Sequence, residues 1–169
     1  MQLDIVIDDL AFTAADAVAR PVNGELRAST ALMRRLELAA GDALLRQLQV
    51  HEPLDVGAAV VTGAGALEAK LMIHSVVMTD DEAVSRTGVE RAVTGALQRA
   101  RDWKIVRVAF APFGLGAGNL DVDEAAQVML GALKAHAGAA YPEEVVIVVE
   151  NEMEAAAFEA ARAWQWRDA

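Results

Sequence analysis

From Arg107 to Asp121 the chain reads RVAFAPFGLGAGNLD, with glycines alternating at 114, 116 and 118. An apolar strand pattern leads into these glycines and a helical pattern follows them. Alternate glycines leave stretches of backbone with no Cβ, so successive N–H groups can converge on an anion. The helix start that follows adds positive potential. The chemistry on offer is therefore the binding of negatively charged oxygen by backbone amides. The same spacing also suits a tight strand-to-helix turn whose glycines take positive φ, and spacing alone does not separate the two. The segment is not a GxGxxG dinucleotide fingerprint, and it lacks the Lys-Ser/Thr of an ATPase phosphate loop. Asp121, Asp123 and Glu124 bring negative charge to the helix start, so an anion would sit upstream of them.

Other chemistries are sparsely represented. With no cysteine, disulfides, thiolate zinc sites, iron–sulfur clusters and cysteine nucleophiles are excluded. His51, His74 and His136 show no metal-ligand spacing. His74, inside an apolar strand, reads as a hydrogen-bonded core imidazole, while His51 and His136 read as solvent-exposed. Ser29, Ser75 and Ser85 lie in no GxSxG elbow. The run Thr79–Glu82 reads as a solvated loop and helix start, and it lacks the alternate spacing of a calcium loop. Asp9 suits a turn or helix cap as well as a ligand contact. Arg20, directly before Pro21, can pair with Asp8 or Asp16, or reach a ligand phosphate bidentately.

The elements that must position these residues alternate along the chain. Short apolar runs predict strands at Leu3–Ile7, Asp16–Ala19, Val56–Thr62, Lys70–Met78, Ile105–Pro112 and Glu144–Glu150. Several are apolar at nearly every residue, as in strands covered on both faces. Apolar residues at spacings of three and four predict helices through Val89–Ala100 and Val122–Leu133, the second opened by an Asp121/Glu124 capping box. Met153, Ala157, Ala160, Ala161 and Trp164 predict a last helix, with Trp164 on its buried stripe and Trp166 exposed. Leu32, Leu36 and Ala39 predict an earlier helix stopped by Gly41. The four prolines are expected at element boundaries. The order predicts an α/β fold, a three-layer α/β/α sandwich with a mixed, mostly parallel sheet.

Length and charge bound the rest. A chain of 169 residues, 54% apolar and 24% charged, suits one globular domain over residues 1–169. Twenty-five Asp and Glu against 15 Lys and Arg give a net charge of −10. That balance argues against broad nucleic-acid binding, because such affinity comes from Lys and Arg on phosphates. The acidic N-terminus is unlike a signal peptide and no apolar run is long enough to span a membrane. A cytoplasmic protein with no membrane partner is expected.

Four stretches together resemble the macro domain, the α/β/α module that binds ADP-ribose. Asp8-Asp9-Leu10 is similar to the family's Gly-Asp-Ile after the opening strand. Asp16–Asn23 resembles Asp-Ala-Ile-Val-Asn-Ala-Ala-Asn. Val56–Thr62 and Leu71–Val76 resemble Gly-x-Ala-x-x-Thr and Val-Ile-His-x-Val, and Ala109–Gly118 resembles the phosphate-binding loop. The resemblance implies that Asp9 accepts a hydrogen bond from the adenine amine and that the Leu10 backbone helps hold the base. It implies that Phe113, Gly114, Leu115, Gly116, Ala117 and Gly118 wrap a diphosphate, with Asn23 near the distal ribose. The sequence departs from the family at three places. Arg20 replaces the first asparagine, Ser29-Thr30-Ala31-Leu32 replaces three glycines and a valine, and Gly118 replaces a ribose-covering aromatic. The implied function is binding of ADP-ribose or a related adenosine diphosphate compound, free or attached to a macromolecule. Alternatives are hydrolytic removal of ADP-ribose, and a ligand-free fold kept for homo-oligomeric assembly. No cofactor, metal ion or catalytic residue is assigned.

Overall fold

A computed structural model describes residues 1–116 and 119–166. Among the described residues the chain forms a six-stranded sheet and five α-helices. The order is β1 (Gln2–Ile7), a 3-10 turn (Leu10–Phe12), β2 (Ala17–Asn23), α1 (Ala31–Ala40), α2 (Asp42–Gln47), β3 (Ala59–Gly63) and β4 (Leu71–Met78). Then come α3 (Arg86–Asp102), β5 (Arg107–Phe110), α4 (Val122–His136), β6 (Glu144–Val149) and α5 (Glu152–Gln165). The strands lie in the order β1-β6-β5-β2-β4-β3, all parallel except β3, which runs antiparallel to β4.

Alternation along the strands sends side chains to two separate cores. Ala17, Ala19, Val108, Phe110 and Ile147 pack under α3, α4 and α5. Val18, Val22, Met72, Val76 and Val148 pack under α1 and α2. The central strands are thus covered on both faces, which is why they read as unbroken apolar runs. Each fully buried Leu, Ile or Phe contributes about 1.5–3 kcal/mol.

Three local expectations need correction. Pro21 lies inside β2, paired with Ser75, and not at a boundary. It is tolerated because alternate residues of a strand bond to the same side. Ala19 O accepts from Ala111 N, so Pro21 also faces the β5 side, and β5 has ended at Phe110. Asp16–Ala19 therefore continues as strand to Asn23. Secondly, the buried stripe of α5 runs through Ala157, Phe158 and Ala161, leaving Trp164 72% exposed while Trp166 packs partly against the core. Phe158, the largest apolar side chain of that stripe, sets the helix's rotation. Thirdly, the box at α4 is half made. Asp121 accepts from Glu124 N at 2.8 Å, but the Glu124 carboxylate turns toward Arg86 at 3.8 Å.

Candidate functional site

The carboxyl ends of β1, β2, β5 and β6 open on one side of the sheet, where α/β folds place their ligands. Two adjoining cavities lie there. The first, about 260 Å³, is walled by the turn after β1 (Asp8 to Phe12), by α1, and by Ala111 and Val148 at the ends of β5 and β6. The second, about 320 Å³, lies between the start of α1 (Thr30, Ala31) and the loop after β5 (Pro112, Leu115, Gly116). Leu32, Met33, Arg35 and Glu150 border both, so the two form one groove.

At the first cavity, Asp9 caps the short 3-10 turn. Its Oδ1 accepts from Ala11 N at 2.9 Å, and its backbone carbonyl accepts from Thr13 Oγ1. Asp9 therefore has the capping role, yet it also borders the cavity, and its second oxygen makes no hydrogen bond within the described residues. Leu10 is buried against the same space. Phe12, 74% exposed, forms part of the rim.

The glycine loop divides by role. The ring of Phe113 is fully buried beside Phe110, with centroids 5.6 Å apart. Its N–H meets Met129 Sδ at 3.1 Å, so neither ring nor amide faces the groove. Gly114 has φ +88°, and a Cβ there would stand 2.8 Å from Val89 Cγ2 and 3.1 Å from Leu120 Cδ1. Its lack of a side chain serves packing against the core. Leu115 and Gly116 border the second cavity. Gly116 has φ +81°, and a Cβ there would meet Thr30 Cγ2 at 3.1 Å, so the two loops nearly touch. Asn119 Nδ2 ties the loop to Val84 O at 2.9 Å. Ala117 and Gly118 lie outside the described residues.

Across the groove, Thr30 caps α1, its Oγ1 accepting from Met33 N at 3.3 Å. The N–H groups of Ala31 and Leu32 have no partner within the helix, as at any helix start. Asn23 borders neither cavity. Its Oδ1 accepts from Glu25 N and Arg27 N at 3.0 and 3.1 Å and so builds the turn after β2. That is the local role asparagine has in turns. The structure thus does not join Asn23 to Asp9 and the glycine loop.

Arg20 pairs with neither Asp8 nor Asp16, and it does not reach the groove. It is 1% exposed, under α1. Its Nη1 meets Glu37 Oε1 at 2.6 Å, Nη2 donates to Leu26 O at 3.1 Å, and Nε donates to His74 Nδ1 at 2.9 Å. Because Nδ1 accepts, neutral His74 carries its proton on Nε2 and donates it to Thr62 Oγ1 at 2.8 Å. The Thr62 hydroxyl then donates to Gly63 O. Glu37 Oε1 also accepts from Ala28 N at 2.7 Å, anchoring the β2–α1 loop. Burial pushes the His74 pKa down to about 3, helped by the charges of Arg20 and Arg27. Burial also lowers the Arg20 pKa, while Glu37 opposes the shift by hydrogen bond and charge.

Sequence reasoning missed Arg35 and Glu150. They form an ion pair of 2.6 Å across 115 residues of chain. Position held the signal for both. Glu150 directly follows the parallel strand β6, and Arg35 lies one turn into the helix that borders the groove. Among the described residues no cluster of His, Asp and Glu could hold a metal ion, and no helix is long and apolar enough to cross a membrane.

The fold matches solved macrodomains. The Oceanobacillus iheyensis macrodomain with ADP superposes with a TM-score of 0.86 at 19% identity, covering 96% of this chain and 90% of that one. The Trypanosoma brucei macrodomain in complex with ADP gives 0.81 at 17% identity, covering 95% and 68%. An uncharacterized protein of Mycobacterium tuberculosis is 28% identical over 161 residues. The match covers 95% of this chain, which spans only 45% of that relative's length. A macro domain-containing protein of Methanosarcina mazei is 27% identical over 128 residues, covering 75% of this chain and 68% of its own. The Macro domain family model matches residues 19–129, from the middle of β2 through the glycine loop into α4. With two thirds of its length under that match, and the sheet order and groove described above, the chain belongs to the macro domain family.

Proposed function

We propose that this chain binds ADP-ribose or a related adenosine diphosphate compound, free or carried on a macromolecule, along the groove between α1 and the β5–α4 loop. The observation that carries the reading is the first cavity. It is a slot walled by Leu10, Leu36, Ala111 and Val148, with one carboxylate oxygen of Asp9 unengaged at its edge. Such a site suits a flat apolar base bearing an N–H donor, since the walls bury its faces and the carboxylate accepts from its edge. The second cavity continues toward Leu115 and Gly116, where backbone amides and the start of α1 favour negatively charged oxygen. Macrodomains of the same fold solved with ADP support the reading.

Isothermal titration with ADP-ribose tests the reading. Saturable binding is expected, and Asp9→Ala should weaken it roughly tenfold or more, the scale of a hydrogen bond to a charged group. No heat at millimolar ligand would overturn the assignment.

A further inference from the structure

We infer that Arg35 is the phosphate-binding cation of this groove. In this assignment, which rests on the nucleotide-binding reading above, Arg35 exchanges its ion pair with Glu150 for the 5′-phosphate of a nucleotide lying across both cavities. Three observations converge on it. The first is position. Arg35 and Glu150 both border both cavities and pair with each other at 2.6 Å. A ligand filling both cavities must meet that pair.

The second is charge. Asp8, Asp9 and Glu150 border the first cavity, and Glu150 and Glu154 the second. Among the described residues bordering either cavity, Arg35 is the one cation. A phosphate entering beside four carboxylates is repelled unless a positive charge stands next to it. Arg20 cannot supply that charge, because it is buried away from both cavities and each of its three nitrogens is already bonded, to His74, Glu37 or Leu26.

The third is access. Ser29, Thr30 and Ala31 all carry side chains where the chain enters α1, and the Thr30 methyl lies where a Cβ at Gly116 would meet it at 3.1 Å. Close approach of backbone to phosphate is therefore narrowed on that side, and a long side chain adds a contact beyond those the amides supply. The Arg35 side chain is 67% exposed and Glu150 is 42% exposed. Pairs so open to water are weak and easily exchanged. A guanidinium offers two parallel N–H groups that match two phosphate oxygens.

The distinguishing measurement is a titration of ADP and of adenosine into the unaltered chain, Arg35→Gln and Glu150→Gln, at one ionic strength, with adenosine followed by ligand-observed NMR. Arg35→Gln should weaken ADP by about ten- to hundredfold, the range for a charge-assisted hydrogen bond, and leave adenosine unchanged. Glu150→Gln frees Arg35 and removes a like charge, so ADP should tighten severalfold. Unchanged ADP affinity in Arg35→Gln, or equal losses for ADP and adenosine, overturns the role of Arg35 and leaves the base pocket standing. An unaltered chain that binds adenosine but not ADP does the same. Failure to bind either compound overturns this role, and the nucleotide reading falls with it when ADP-ribose also fails to bind.

Discussion

Two arginines fifteen positions apart in sequence lie in opposite environments, and the contrast separates structure from function in this molecule. Arg20 stands at the position where the family resemblance places a ligand-side asparagine, yet every polar contact it makes is internal. Arg35 carries no motif, yet its side chain stands in the groove with one replaceable partner. A buried cation is tolerable only when it is paired and hydrogen-bonded, and a guanidinium so held inside the fold is turned away from a ligand. An exposed pair costs little to break and so can change partner. In this fold the ligand-facing role therefore falls to the open pair.

The sharpest way to break this contrast is to remove Arg20. Arg20→Met leaves His74 Nδ1 and Leu26 O without a donor and the largely buried Glu37 without its cation. Urea denaturation should show a loss of about 3–5 kcal/mol, typical for an orphaned buried charge. Adding Glu37→Leu removes the stranded carboxylate and should recover a substantial part, although Ala28 N then loses its acceptor. If Arg20→Met instead left stability unchanged and abolished ADP binding, the division of roles would be reversed.

The glycine loop carries a second version of the same contrast. Gly114→Ala should cost roughly 2–4 kcal/mol, because positive φ and contact with Val89 and Leu120 act together. Gly116→Ala should cost about 1–2 kcal/mol from its φ alone, with the added methyl pressing on Thr30 at the groove. ADP affinity should fall further in Gly116→Ala than in Gly114→Ala. Thermal unfolding and titration on the same two variants check both halves.

These variants also mark how far the sequence could be read. All six strand positions and the four longer helices are legible, because double-sided burial leaves apolar runs and one-sided burial leaves a stripe every three to four residues. Six-residue α2 is not, since Ala43, Leu44 and Leu45 are too few to set a period. The last helix is legible, but its rotation is not. Trp164 outranks Phe158 in size, and only the neighbouring helix decides which faces inward. Asp9 and Gly116 border the groove, and it is the family resemblance, with spacing alone neutral, that places them there. The place of Arg20 depends on Glu37 and His74, 17 and 54 residues away, and no local pattern encodes such a meeting.

A smaller effect tests the buried side through pH. In the folded chain His74 protonates only near pH 3, whereas an unfolded histidine does so near 6.5. Between those values the unfolded state binds the extra proton, so stability falls as pH falls through the window. The expected loss from this group approaches about 1.4 kcal/mol per pH unit below pH 6, or roughly 1–2 kcal/mol from pH 6.5 to 5. Carboxylates add their own dependence, so the comparison is with His74→Asn, whose stability should change less over the same range. Equal slopes in both chains would mean that the imidazole is not held neutral.

The smallest expected change in stability has the clearest bearing on the open side. Thr30 caps α1 through Oγ1, and its methyl faces Gly116 across the groove. Glycine also serves at this helix position, so Thr30→Gly should cost only a few tenths of a kcal/mol. It removes the methyl that faces Gly116 and lets the amides of Ala31 and Leu32 come nearer to a bound phosphate. ADP should therefore bind severalfold more tightly and adenosine unchanged. In the Thr30→Gly chain Arg35→Gln should also do less harm than in the unaltered chain, because backbone amides then share the phosphate. If instead the two substitutions act independently on ADP affinity, Arg35 and the start of α1 are not serving the same phosphate.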